Sequence, residues 1–234
     1  MNESNNDPVL PFASNDSPLA PPPVVPSEED TIAAMYATAR DQSDAGNTAG
    51  AAATYRQLLA RAPRHVRARN NLALVLERRG DYDGALVELD RALDIEPDNV
   101  ALLLNRAGIH TTKMRYDMAE ADLRRAVKID ENNADVLVNL GMLACKKARW
   151  RDAVEPLRRA IEIDASRASA HYYLAEAYNQ IDQLPAALES YETAARLQPN
   201  NWRAFKGIGI VLDRMGRPEE AAIAYQRVRE AQRR

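Results

Sequence analysis

Residues 70–99 read NNLALVLERRGDYDGALVELDRALDIEPDN, and the same pattern of small and large residues returns twice further along the chain. Residues 105–133 are NRAGIHTTKMRYDMAEADLRRAVKIDENN, and residues 139–167 are NLGMLACKKARWRDAVEPLRRAIEIDASR. The step is 34 residues, without insertion or deletion. Extended in both directions, it divides the chain into repeats at 32–65, 66–99, 100–133, 134–167, 168–201 and 202–234, the last one residue short. A fixed period of this length is the mark of a solenoid, in which each unit rests on its neighbours.

The register shows in what each position tolerates. Position twenty is Ala in every copy: Ala51, Ala85, Ala119, Ala153, Ala187 and Ala221. Position eight is always small: Ala39, Ala73, Ala107, Gly141, Ala175 and Gly209. Position twenty-four is large: Tyr55, Leu89, Leu123, Leu157, Tyr191 and Tyr225. Within a copy, Leu72, Val75 and Leu76 and then Leu86, Leu89, Ala92 and Leu93 recur at helical spacing, with Gly80-Asp81 between them. Each copy therefore reads as two helices. Small residues at eight and twenty let the helices approach, and the residue at twenty-four fills the gap beside them. Gly80 suits the left-handed turn after the first helix, and Pro97 is expected to end the second, with Pro63 and Pro199 at the same register.

This pattern resembles the tetratricopeptide repeat (TPR) over residues 32–234. The resemblance implies an all-α, right-handed superhelical solenoid of helical hairpins, with residues 28–234 as one TPR domain. Repeats 134–167 and 168–201 match the family signature best. Thr38 and Gln42 depart from it in the first copy, as suits an end that faces water. Arg106 and His110 depart from it in the third with no explanation from sequence, and Pro156 falls inside an expected helix, where it can bend it.

Residues 1–27, rich in Pro, Ser, Asn and Asp, read as a disordered tail whose segment from Ala20 to Pro26 favours polyproline II, as a spacer or a docking motif. The tail holds three acids, Glu3, Asp7 and Asp16, and no Lys or Arg. The remainder thus balances 31 acidic against 31 basic residues. Such neutrality gives no electrostatic reason to expect nucleic-acid binding or membrane insertion. The lack of a basic, apolar leader or an 18-residue apolar run makes a cytoplasmic location the default expectation. The single Cys145 reads as a buried, inert thiol.

In TPR arrays, positions two, five, six and nine of each first helix face the concave side. Carried over, that puts an Asn ladder at position six in Asn71, Asn105 and Asn139, beside Asn70, Leu74, Leu104, Val138, Met142, Tyr172, Tyr173 and Glu176. Arg67, Asp135, Arg203 and Lys206 complete the candidate groove. The resemblance implies a scaffold or adaptor that takes a protein or peptide partner there. The expected ligand has apolar anchors in its middle and an acidic group near Arg203 and Lys206. The carboxylate clamp of chaperone-tail adaptors is disfavoured, because no three consecutive repeats supply its flanking cations around an Asn.

Neither an enzyme nor a cofactor or metal site is expected. His65, His110 and His171 are scattered, and no zinc spacing, phosphate loop or nucleophile elbow occurs. The arginine pairs Arg124-Arg125 and Arg158-Arg159 are expected to meet neighbouring acids on the second-helix side. Two other functions stay open: a homo-oligomer assembling through the final hairpin, where Ala222, Ile223, Tyr225 and Val228 lack a covering helix, and an envelope or pilus assembly factor.

Overall fold

The computed structural model describes residues 27–233. The expected tail therefore lies outside the described residues, except for Ser27. Twelve helices follow in sequence: α1 (Glu28–Asp44), α2 (Thr48–Arg61), α3 (Val66–Arg78), α4 (Tyr82–Leu93), α5 (Val100–Thr112), α6 (Tyr116–Ile129), α7 (Ala134–Lys146), α8 (Trp150–Ile163), α9 (Ala168–Gln180), α10 (Leu184–Leu197), α11 (Trp202–Arg214) and α12 (Pro218–Gln232). Among the described residues no strand occurs. The first helices of successive hairpins from α3 onward start 34 residues apart, and α1 alone begins ahead of that register. Ser27 starts it with a capping box, its side chain accepting from the Asp30 amide while Asp30 accepts from the Ser27 amide at 3.1 Å.

Each turn between paired helices places its fifteenth repeat residue in the left-handed region. These residues are Gly46, Gly80, Met114, Ala148, Asp182 and Gly216, with φ of 79, 78, 57, 55, 65 and 72°. Glycine does so without a Cβ clash, whereas Met114 and Ala148 adopt it at a cost of about 1–2 kcal/mol. The hairpin geometry is thus imposed by packing on either side and only in part by the turn residue. Proline plays a smaller role than expected in ending the second helices. α4 stops at Leu93, well before Pro97, and α6 and α8 end at Ile129 and Ile163 with no proline there. Pro156 sits within α8, which continues through it.

The close contacts lie where the pattern of small and large residues requires them. The six position-twenty alanines are at most 1% exposed, and Tyr55, Leu89, Leu123, Leu157 and Tyr191 no more than 1%. A methyl group on Gly209 would sit 2.6 Å from the Tyr225 ring, and one on Gly141 would overlap Leu157. Glycine at position eight is therefore a fit to the side chain at twenty-four of the same hairpin. Buried Cys145, 7% exposed, packs in the middle of the array, and burial pushes its thiol up to about 12.

Of the two sequence departures in the third repeat, Arg106 has a structural cause. Arg106 Nε and Nη2 donate to the Asp122 carboxylate at 2.8 and 2.6 Å, and Nη1 donates to Asp90 at 2.7 Å. A guanidinium thus replaces the usual apolar residue because two acids on α4 and α6 receive it. His110, 4% exposed, lies on the same cleft between these helices, its Nδ1 without a hydrogen-bond partner among the described residues, and nothing in the structure explains its place there. In the first repeat, exposed Thr38 turns its hydroxyl back to the Ala34 carbonyl, and Gln42 accepts from Thr54 at 2.9 Å.

Candidate functional site

Curvature follows from which helices touch. Each odd-numbered helix contacts the next odd-numbered one, whereas among the described residues no even-numbered helix contacts the next even-numbered one. The odd-numbered helices are therefore crowded on the inner, concave side, and the even-numbered ones splay on the outer side. One outer gap, between α4 and α6, encloses about 710 Å³ lined by Leu86, Arg106, His110, Met118 and Asp122 among others.

On the inner helices the candidate groove residues differ in how far they are already engaged. Asn71 is the most engaged: its amide donates both hydrogens, to the Tyr36 and Tyr55 hydroxyls at 3.0 and 3.2 Å, and its oxygen accepts from Asn70 at 3.4 Å. Asn105 donates to the Asn70 oxygen at 2.7 Å, so the network runs Asn105, Asn70, Asn71 and then the two phenols. Asn139 stands apart, donating at 2.8 Å to the Asp135 carbonyl one turn earlier on its own helix. The three position-six amides consequently do not bond to one another. Asn105 and Asn139 retain free hydrogen-bonding capacity, since each uses one amide hydrogen and neither oxygen receives a donor among the described residues.

Leu74, Leu104 and Met142 are half-buried and Val138 is 8% exposed, which leaves a mostly apolar stretch along the middle repeats. Arg67 is exposed at one end, and Arg203 and Lys206 at the other. The Arg203 guanidinium lies 5.5 Å from the Trp202 ring centroid. Asp135 is paired with Arg167, which also bonds Asp164 at 2.7 Å. In the fifth repeat Tyr172 stands edge-on to Tyr173 and Tyr191, with ring centroids 5.2 and 5.8 Å apart, and Tyr191 donates to Glu176 at 2.5 Å.

Two contributors escaped the sequence reading. Tyr55 and Tyr191 belong to outer helices and fill gaps at position twenty-four, yet their hydroxyls reach Asn71 and Glu176 on inner ones. The signal was tyrosine at a position that takes Leu in the middle repeats, because a buried hydroxyl requires a partner. His65 also enters here, capping α3 through Nδ1 at 3.1 Å and stacking on Tyr36 at 5.3 Å.

Of the two arginine pairs, the first finds acids and, among the described residues, the second does not. Arg124 meets Glu120 at 2.6 Å and Arg125 meets Asp98 at 3.0 Å, while Arg159 donates to the Glu131 carbonyl. Glu120 also meets Lys147 at 2.7 Å and Arg149. Hydrogen bonding to Lys147, then to Arg149, outweighs partial burial and holds this carboxyl at about 2. Among the described residues no cluster of His, Cys, Asp and Glu is arranged to hold a metal, and no helix is long and apolar enough to cross a membrane.

Comparison with known proteins agrees with this architecture. Tetratricopeptide repeat profiles match residues 36–95 and 180–233, and a second such profile matches residues 100–133, together more than half of the chain. The chain belongs to the tetratricopeptide repeat family. No curated protein matches the sequence. Among solved structures, MamA is 25% identical with a TM-score of 0.63, covering 69% of this chain and 95% of its own. A tetratricopeptide repeat protein from Parabacteroides merdae ATCC 43184 is 17% identical with a TM-score of 0.73, covering 86% of this chain and 80% of its own. YrrB, described as a TPR protein with an unusual peptide-binding site, is 18% identical with a TM-score of 0.61 over 76% of this chain and 92% of its own. The last two likenesses concern the fold. In general terms the family and fold are those of a protein-interaction scaffold.

Proposed function

We propose that the chain binds a segment of a partner protein, extended or helical, along its concave side. One observation carries this reading: on the inner helices of the middle repeats, half-buried Leu104 and Met142 flank Asn105 and Asn139, whose amide oxygens receive no donor among the described residues. An apolar surface interleaved with free amide groups suits a peptide, since side chains supply the burial and the backbone takes the amide hydrogen bonds. Asn71, held by two phenols, acts here as a support for the groove wall. An acidic group of the ligand is placed by exposed Arg203 and Lys206. The reading is supported by YrrB, a TPR protein of similar fold with an unusual peptide-binding site.

The test is selection of phage-displayed random peptides on the intact chain and on Leu104→Glu/Met142→Glu, with circular dichroism as the check on folding. The groove reading expects peptides recovered on the first to bind the second at least tenfold more weakly. Equal binding to both would refute it.

A second reading rests on α12, where Ile223 is 63% exposed and Ala222 is exposed beside it. In that reading copies of the chain assemble through this helix. Light scattering across a concentration series should then show a rising mass that Ile223→Glu abolishes; a constant monomer mass would exclude it.

A further inference from the structure

Glu176 differs from Glu88, Asp122 and Glu120 in what surrounds it. Glu88 meets Arg69 and Arg91, Asp122 meets Arg106, and Glu120 meets Lys147, Arg149 and Arg124. Half-buried Glu176 makes no ion pair with any described residue. Its surroundings are aromatic. Tyr172 lies one turn before it on α9, edge-on to Tyr173 at 78° and to Tyr191 at 64°, and the Tyr191 hydroxyl donates to it.

That arrangement has an excess of acceptor character, and no cation among the described residues is bonded to the carboxylate. A carboxylate removed from water favours a counter-cation, and the faces of phenol rings attract cations within about 6 Å. The effect of the charge is felt throughout the cluster. Burial first, and then Glu176, pushes the Tyr172 and Tyr191 phenols well above their usual range. Arg203 on α11 is near enough to oppose that rise at Tyr172, but it forms no ion pair with Glu176 among the described residues, and its guanidinium lies 5.5 Å from the Trp202 ring centroid.

We propose that Tyr172, Tyr173 and Glu176 form a subsite for a cationic side chain, Lys or Arg, carried by the segment that lies in the groove. This rests on the groove reading and assigns the chemistry of one ligand position. The carboxylate takes the charge-assisted hydrogen bonds, and the rings cover the aliphatic stem and the flank of the cation. Lys206 and Arg203, one repeat further on, discourage a second basic residue beyond it and so set the register of the ligand.

The experiment extends the peptide selection to a third protein, Glu176→Gln, which keeps the shape and the capacity to accept from Tyr191. Peptides recovered on the intact chain are expected to share a Lys or Arg at one position. A synthetic peptide of that consensus should bind Glu176→Gln about tenfold more weakly. Its Lys→Ala or Arg→Ala version should bind the two proteins equally. Peptides without a common basic position that still fail on Leu104→Glu/Met142→Glu would overturn the subsite and leave the groove standing. Peptides that bind the double variant undiminished would overturn both, as would a selection that recovers no binder.

Discussion

Replacing Arg106 by Leu restores the residue type that the second, fourth and fifth repeats carry at this position in Leu72, Leu140 and Leu174, and yet it should be destabilising. The Arg106 side chain is 22% exposed, and the Asp122 side chain that it binds in bidentate fashion is 8% exposed. Its second partner, Asp90, is 58% exposed, so that contact contributes at most about 1 kcal/mol. Removal of the guanidinium strands the Asp122 carboxylate away from water, and an orphaned buried charge costs about 3–5 kcal/mol. Arg106→Leu is therefore expected to lose about 3–5 kcal/mol, nearly all of it through Asp122. The double variant Arg106→Leu/Asp122→Ala removes the stranded charge, and it copies the sixth repeat, which has Ile208 and Ala224 at these positions. It should return to within about 1–2 kcal/mol of the parent, because a buried ion pair and an apolar pair differ little in net contribution. Urea unfolding followed by circular dichroism, analysed by linear extrapolation, measures both. A single variant that loses under about 1 kcal/mol, or a double variant as unstable as the single, would refute the reasoning.

Relief of left-handed strain by Met114→Gly or Ala148→Gly should raise stability by about 0.5–1 kcal/mol each, read as a higher thermal midpoint; a fall would show that these side chains contribute more than their backbone strain costs. Ala119→Leu inserts three heavy atoms where exposure is 0%, with an expected loss of about 1–3 kcal/mol, and an unchanged urea midpoint would place the helix contact elsewhere. Gly207→Ala adds a methyl group against the buried Tyr191 ring and should also cost about 1–3 kcal/mol, while Gly108→Ala, which meets no neighbouring atom, should not. The Glu120 pKa is depressed in the folded state, so its contribution is present above its ordinary 4.5 and is lost as pH falls through about 2. The stability gap between the parent and Glu120→Gln should accordingly be full at pH 6 and mostly lost by about pH 2; a gap independent of pH would exclude the ion cluster as its source.

How far the letters carried differs between positions. The alanines at twenty and the small residues at eight predict close helix contacts because steric fit is local, and those residues are in fact buried. Arg106 resisted explanation because its partners, Asp90 and Asp122, lie sixteen residues away on either side, on two other helices. The Asn ladder was legible as a set of residues on inner helices but not as a network. Whether Asn105 turns to Asn70 or Asn71 depends on the offset between adjacent inner helices, which periodicity does not encode.

The helical hairpin, its period and the side of each helix that packs all follow from residue size repeated at fixed spacing, and so they can be read from the letters alone. Which polar groups are satisfied is settled by the stacking of the hairpins. Tyr55 and Tyr191 reach from outer helices to Asn71 and Glu176, engaging the first and leaving the second without a cation. Hydrogen bonds and ion pairs are set by distances of a few tenths of an ångström between elements far apart in the chain, and that geometry arises only when the hairpins stack.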